Sequence, residues 1–163
     1  MRVRAPYAAN DHYTVLEAQA YRDAARQLGV VLLERPVTDQ REAQAAFTNI
    51  RKPELQGIVV SHSVAWNLPG FALDAAAKQG IPTMFPASFF VEEGGLASYG
   101  PDYYATGRQA ARLVDKIIKG AKPGEIPVEA NPRIELVINL KVARRLGLTI
   151  SPAILARADR VIE

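Results

Sequence analysis

Apolar positions along this chain follow two periods in turn. Short β-rich runs at residues 3–5, 30–33, 57–60 and 81–85 are separated by stretches of helical spacing, the pattern of parallel strands covered by helices. After the first run and a polar turn, Tyr13, Leu16, Ala20, Ala24 and Leu28 share one helical face, with Thr14 and Glu17 spaced as a capping box and Gly29 as the stop. A second helix opens near Asp39, with Glu42 three residues on, and turns Ala43, Ala46, Phe47 and Ile50 toward a sheet. Pro53 is expected to end it. Residues 61–68 read as a loop, and a third helix opens at Pro69 and closes at Gly80. The run at 30–33 reads as a buried strand. Right-handed crossovers then favour an α/β fold with a doubly wound, mainly parallel sheet flanked by helices.

Beyond residue 86 the pattern changes. A helical turn at 87–92, a break at Gly94 and Gly95, and a short strand at 96–99 precede a strong helix capped by Asp102. Its apolar stripe is Gly107, Ala110, Ala111, Val114, Ile117 and Ile118. Residues 121–132 hold three prolines and little periodicity, so they read as an extended linker. A strand at 134–138 follows, then a short helix capped by Asn139, and a last helix entered through Ser151 and Pro152. The expected division is a ligand-binding α/β lobe at 1–98, and at 99–163 a crossover helix, linker and strand-helix tail packing on that lobe or on a partner chain.

Composition narrows the chemistry. The 163 residues suffice for one core, and 48% apolar with 23% charged residues is an ordinary globular mixture. A net charge of +3, without a basic block interleaved with aromatics, gives no reason to expect nucleic acid. The absence of cysteine removes disulfides and thiolate sites, and two histidines fifty positions apart make no metal centre. No glycine-rich phosphate loop follows any strand, so no cofactor is expected. No apolar run approaches a membrane span, and the first six residues carry no export signal of recognisable length.

In open α/β sheets ligands bind beyond the carboxyl ends of the strands. Four segments there hold most of the aromatics and both histidines: 6–12, 61–68, 86–90 and 99–104. The candidate ligand-binding residues are Tyr7 and Asn10 in the first, Ser61, His62, Ser63 and Trp66 in the second, Ser88 and Phe89 in the third, and Tyr99 and Asp102 in the fourth. Ring surfaces with a few hydroxyl and amide groups suit a small organic molecule. Competing structural roles stand beside these: Asn10, Asp11 and Asp102 as helix caps, and Tyr13, Phe47 and Phe71 as core. His62 between two serines suggests a triad. No G-x-S-x-G turn exists, however, and the nearest acid in sequence is Glu54, so catalysis is not expected.

Several strings carry a resemblance: Tyr99-Gly100, Gly107-Arg108-Gln109-Ala110-Ala111, Asp115-Lys116-Ile117-Ile118-Lys119-Gly120-Ala121-Lys122-Pro123, Ile126-Pro127-Val128-Glu129, Leu136-Val137-Ile138-Asn139 and Leu146-Gly147-Leu148. The tail Arg157-Ala158-Asp159 with Val161-Ile162-Glu163 extends it. Together they resemble the ABC-transporter substrate-binding family that includes the tryptophan-binding lipoproteins. That resemblance implies the carboxyl-terminal half of a type I periplasmic binding protein, with two α/β lobes trapping a small solute in their cleft and delivering it to ABC permease subunits outside the cytoplasm. It implies that the amino-terminal lobe is missing here. The stripe of the 102–119 helix would then lack its cover, which favours a homo-oligomer. Acidic residues that hold an ammonium group in relatives are matched here by Ala87, Ser88 and Ser63, so a neutral or anionic aromatic solute is as much in view as an amino acid. A ligand-sensing domain of a signalling or regulatory protein, and a small α/β hydrolase, are the alternatives.

Overall fold

The structure, a computed structural model, describes residues 1–48, 50, 54–67, 70–130 and 133–163. The β-rich runs become β1 (Arg2–Ala8), β2 (Val31–Val37), β3 (Gly57–Val59), β4 (Thr83–Phe85), β5 (Ala97–Pro101) and β6 (Ile134–Asn139), to which β7 (Arg160–Ile162) is added. They form one sheet in the order β2-β1-β3-β4-β5-β6-β7. The first five strands are parallel, β6 runs antiparallel to β5, and β7 is parallel to β6. The strand order reverses direction at β1, which places the switch point of the doubly wound sheet between the carboxyl ends of β1 and β3.

Between the strands lie α1 (His12–Leu28), α2 (Gln40–Phe47), α3 (His62–Asn67), α4 (Phe71–Gln79), α5 (Phe89–Glu92), α6 (Tyr103–Ile118), α7 (Leu140–Leu146) and α8 (Pro152–Leu155). The sequence signals for caps hold at four of them. Asp39 accepts from the Glu42 amide at 2.8 Å while Glu42 accepts from the Thr38 amide at 2.7 Å, a reciprocal capping box at α2. Asp102, Asn139 and Ser151 accept amides of α6, α7 and α8 in the same way. The main core lies between the sheet and α2 to α5. Ala43, Ala46, Phe47 and Ile50 are buried there as their spacing predicts, beside Leu55, Ile58, Val60 and a stacked Phe85–Phe90 pair with centroids 4.8 Å apart. Each large side chain sealed there contributes about 1.5–3 kcal/mol.

Three expectations are corrected. In α1 the buried positions are Thr14, Ala18 and Ala25, while Tyr13 is 81% exposed and Leu16 and Leu28 also face outward. The cause is local: Thr14 Oγ1 donates to the Ala8 carbonyl at 2.7 Å and fixes the helix rotation, and Asp11, not Thr14, caps it by accepting from the Tyr13 amide. β2 is an edge strand, half-buried to exposed over most of its length, because nothing pairs beyond it. Residues 62–67 are helical. The apolar stripe of α6, by contrast, is left without cover among the described residues, the arrangement expected from the sequence, and the helix has no buried residue. The expected stop at Pro53, the start at Pro69, and Leu68 and Pro132 at the ends of the expected loop and linker lie outside the described residues. The linker otherwise holds only a 3-10 turn at Pro123–Glu125.

Candidate functional site

The loops leaving β1 and β3 meet at the switch point. Asp11, before α1, uses one carboxylate oxygen for the Tyr13 amide and receives the Ser63 hydroxyl on the other. That hydroxyl holds the Asp11 carboxyl below the usual aspartate range, with burial opposing and the Tyr13 and Thr14 amides assisting. Asn10 donates to the Thr38 carbonyl at 3.2 Å and so ties the first loop to the end of β2. Ala8, Asn10, Val37, Thr38, Ser63 and Asn67 line a hollow of about 290 Å3 at this edge.

Next to it stands an aromatic wall. The i, i+4 spacing of α3 puts His62 and Trp66 on one face, and the Trp66 indole N–H donates to His62 Nε2 at 3.0 Å. The Tyr103 hydroxyl, from the first turn of α6, lies 3.0 Å from the same nitrogen. Trp66 packs against Phe89, Phe90 and Tyr103 with centroids 4.9, 6.1 and 5.7 Å away, spacings at which aromatic pairs attract. Phe90 is sealed in the core, whereas Trp66 is 44% and Tyr103 39% exposed. The wall thus has a fixed back and an open front.

A second hollow of about 230 Å3, lined by Glu17, Tyr21, Val60, Met84, Pro86 and Tyr99, sits beside α1. Tyr21 donates its hydroxyl to Glu17, and burial first, then the Glu17 charge, raises the pKa of the phenol. The other Glu17 oxygen accepts the His62 amide at 3.1 Å. Asp11 and Glu17 are therefore satisfied from within the chain, and Asp39, which also lines the first hollow, accepts the Glu42 amide on one oxygen.

The structure brings Ser61, His62, Ser63 and Trp66 to the switch point together with Asn10, and Phe89 to the wall. Ser61 is fully buried at the end of β3, and its carbonyl accepts from the Ala65 amide. Ser88 precedes α5 and accepts two of its amides through its carbonyl, not its side chain. Tyr7 lies within β1, not in a loop, and its hydroxyl accepts from Arg22 at 3.4 Å. Tyr99 belongs to β5 and lines the second hollow, and Asp102 is the cap of α6. Glu17 was not a sequence candidate. The sequence marked it as the capping-box partner of Thr14, and its i, i+4 spacing to Tyr21 is one that many surface glutamates share. Among the described residues no group of three His, Asp or Glu side chains is placed to hold a metal ion, and no helix is long and apolar enough to cross a membrane.

Strand order, switch-point hollow and half-open aromatic wall together describe an α/β lobe with a mainly parallel sheet. The sequence profile of the ABC transporter substrate binding proteins matches residues 2–162. The chain belongs to that family. The tyrosine-binding protein of Clostridioides difficile (strain R20291) is 21% identical over 143 residues, 87% of this chain and 41% of that protein. A conserved domain protein of Vibrio cholerae matches with 28% identity and a TM-score of 0.80 over 98% of this chain and 54% of its own. The ABC domain from Streptococcus pneumonia in complex with L-Trp matches with 25% identity and a TM-score of 0.82 over 99% of this chain and 55% of its own. The chain therefore spans about half the length of the proteins it resembles.

Proposed function

We propose that this chain forms one lobe of the extracytoplasmic solute-binding component of an ABC importer, and that it holds the ring of a small aromatic solute against Trp66, Phe89 and Tyr103 in an interlobe cleft. The observation that carries this reading is the wall itself: aromatic side chains from three helices, hydrogen-bonded from behind and open in front. A relative named for tyrosine and a similar structure holding L-Trp support an aromatic ligand. Because Asp11 and Glu17 are already engaged, and Ala87, Ser88 and Ser63 carry no charge, this lobe recognises the ring, and ionic ends of the solute are met by the facing lobe. Ser63 and Asn10 supply neutral polar groups beside it, with buried Ser61 shaping the end of β3 and Tyr7, Ser88, Tyr99 and Asp102 in support. Titration calorimetry with L-Trp, L-Tyr and an aromatic carboxylate, against L-Leu as aliphatic control, tests the reading. The aromatic solutes bind, L-Leu does not, and Trp66→Ala weakens binding about tenfold, the order expected for one ring contact plus its burial. Equal binding of L-Leu, or affinity untouched by Trp66→Ala, overturns it.

Residues 1–98 supply Trp66 and Phe89 in this reading, and 99–163 add Tyr103 to the wall and carry the crossover helix and a tail whose β6 pairs back on β5. The outward stripe of α6, with Val114 52% and Ile118 78% exposed, is the surface that the facing lobe of the longer relatives covers. In this chain by itself the same surface drives homo-oligomer formation, to be read by light scattering at tens of micromolar; a monomer there contradicts it.

A further inference from the structure

An indole N–H can only donate, so its 3.0 Å bond to His62 Nε2 requires a lone pair on that nitrogen. The imidazole is therefore neutral, with its proton on Nδ1. Tyr103 differs from Trp66 in one respect: its hydroxyl, also 3.0 Å from Nε2, can either donate or accept. A proton added at Nε2 breaks the bond to Trp66, because two N–H groups then face each other. The same proton makes a bond to Tyr103, whose oxygen turns to accept it. From these three side chains we infer that His62 is a positioning residue for the aromatic wall: it locks Trp66 in place while neutral and releases it, binding Tyr103 instead, when protonated.

The groups around His62 are compatible with such an exchange. Glu17 of α1 accepts its backbone N–H and is itself bound by Tyr21, and Asp11, ahead of α1, lies within electrostatic reach with Ser63 on its carboxylate. From α5, Phe89 and Phe90 meet Trp66 with carbon surfaces only. An imidazolium formed here thus has the Tyr103 oxygen beside Nε2 and the Asp11 carboxylate within electrostatic reach. The link to solute affinity rests on the proposed function; the lock itself does not.

Trp66 is the only tryptophan of the chain, and His12 and His62 its only histidines, so emission excited selectively from tryptophan reports on the surroundings of Trp66, and the histidine variants assign any change. Emission is followed from about pH 8 to pH 5, the range in which imidazoles change charge, on the unmodified chain, His62→Gln, His12→Gln and Tyr103→Phe. A single-proton transition is expected in the unmodified chain, its loss in His62→Gln, its retention in His12→Gln, and a shift to lower pH in Tyr103→Phe, which removes the acceptor of the charged form. Circular dichroism of each variant shows that the fold is kept. Flat emission in the unmodified chain, or a transition that survives His62→Gln, overturns the inference. Calorimetry separates the two claims. Aromatic solutes that bind with the same affinity at both ends of the range, without a fluorescence transition, sink the lock and leave the solute reading; a transition without aromatic binding at any pH does the reverse.

Discussion

Gly100 sits where β5 passes the loop that follows β4. A Cβ at this position would lie 2.0 Å from the Pro86 carbonyl oxygen and 2.9 Å from its carbon, where ordinary contact begins at 3.4 Å. The obstacle is backbone, so Gly100→Ala must open the gap between β5 and residue 86 by more than an ångström. That movement strains the Met84–Ala97 and Phe85–Ser98 pairs and unseats Phe85, which is 2% exposed and stacked on Phe90. Overpacking of this kind costs about 1–3 kcal/mol, and a rigid obstacle puts the expectation near 3. For a chain of this length that lowers Tm by about 6–12 °C. The urea midpoint falls by about 1.5 M at a slope near 2 kcal/mol/M. Gly107, in the middle of α6, is the internal control: nothing lies within 4 Å of its added Cβ, so Gly107→Ala raises stability by about 0.5–1 kcal/mol. Urea denaturation followed by circular dichroism measures both. A Gly100→Ala midpoint within about 0.5 kcal/mol of the unmodified chain refutes the steric reasoning.

Other consequences follow from single contacts. Asp39→Ala removes the cap and the capping box of α2 and lowers stability by about 0.5–2 kcal/mol, whereas Asp39→Asn keeps most of it; thermal denaturation of the two distinguishes them. Asp11 has a native pKa held below its unfolded value, so its contribution to stability is present above the ordinary aspartate range, near pH 3.9, and is lost as pH falls through the native value. Ser63→Ala removes the main cause, and carbon-detected NMR titration of Asp11 should show its carboxyl protonating at higher pH than in the unmodified chain. Ile117→Lys with Val114→Lys places charge on the open stripe of α6; light scattering then reports a monomer, while circular dichroism shows the fold kept because neither side chain is buried within the chain.

The elements most legible in the sequence were those specified locally. Asp39 with Glu42, Asp102, Asn139 and Ser151 each announce a helix start through one side chain and one amide, and the Ala43, Ala46, Phe47, Ile50 stripe has a single apolar face to bury. α1 has two candidate faces. Spacing favours Tyr13, Leu16 and Leu28, but the bond from Thr14 to Ala8, a tertiary contact, selects the small-residue face. The three-residue β7 is too short to carry a period, and its strand character comes from pairing with β6. At the candidate site, the Trp66–His62 pair follows from i, i+4 spacing once residues 62–67 are helical, whereas Tyr103 on His62 and Ser63 on Asp11 join positions 41 and 52 residues apart that no spacing rule encodes.

The central claim is that Trp66, Phe89 and Tyr103 form the surface on which an aromatic ring lands. A crystal structure of the chain with L-Trp or L-Tyr tests it most directly. The account predicts a solute ring stacked or edge-on against the Trp66 indole, with centroids about 4.5–7 Å apart and its charged groups directed away from Asp11 and Glu17. A solute held elsewhere on the lobe, with the front of Trp66 left bare, contradicts it.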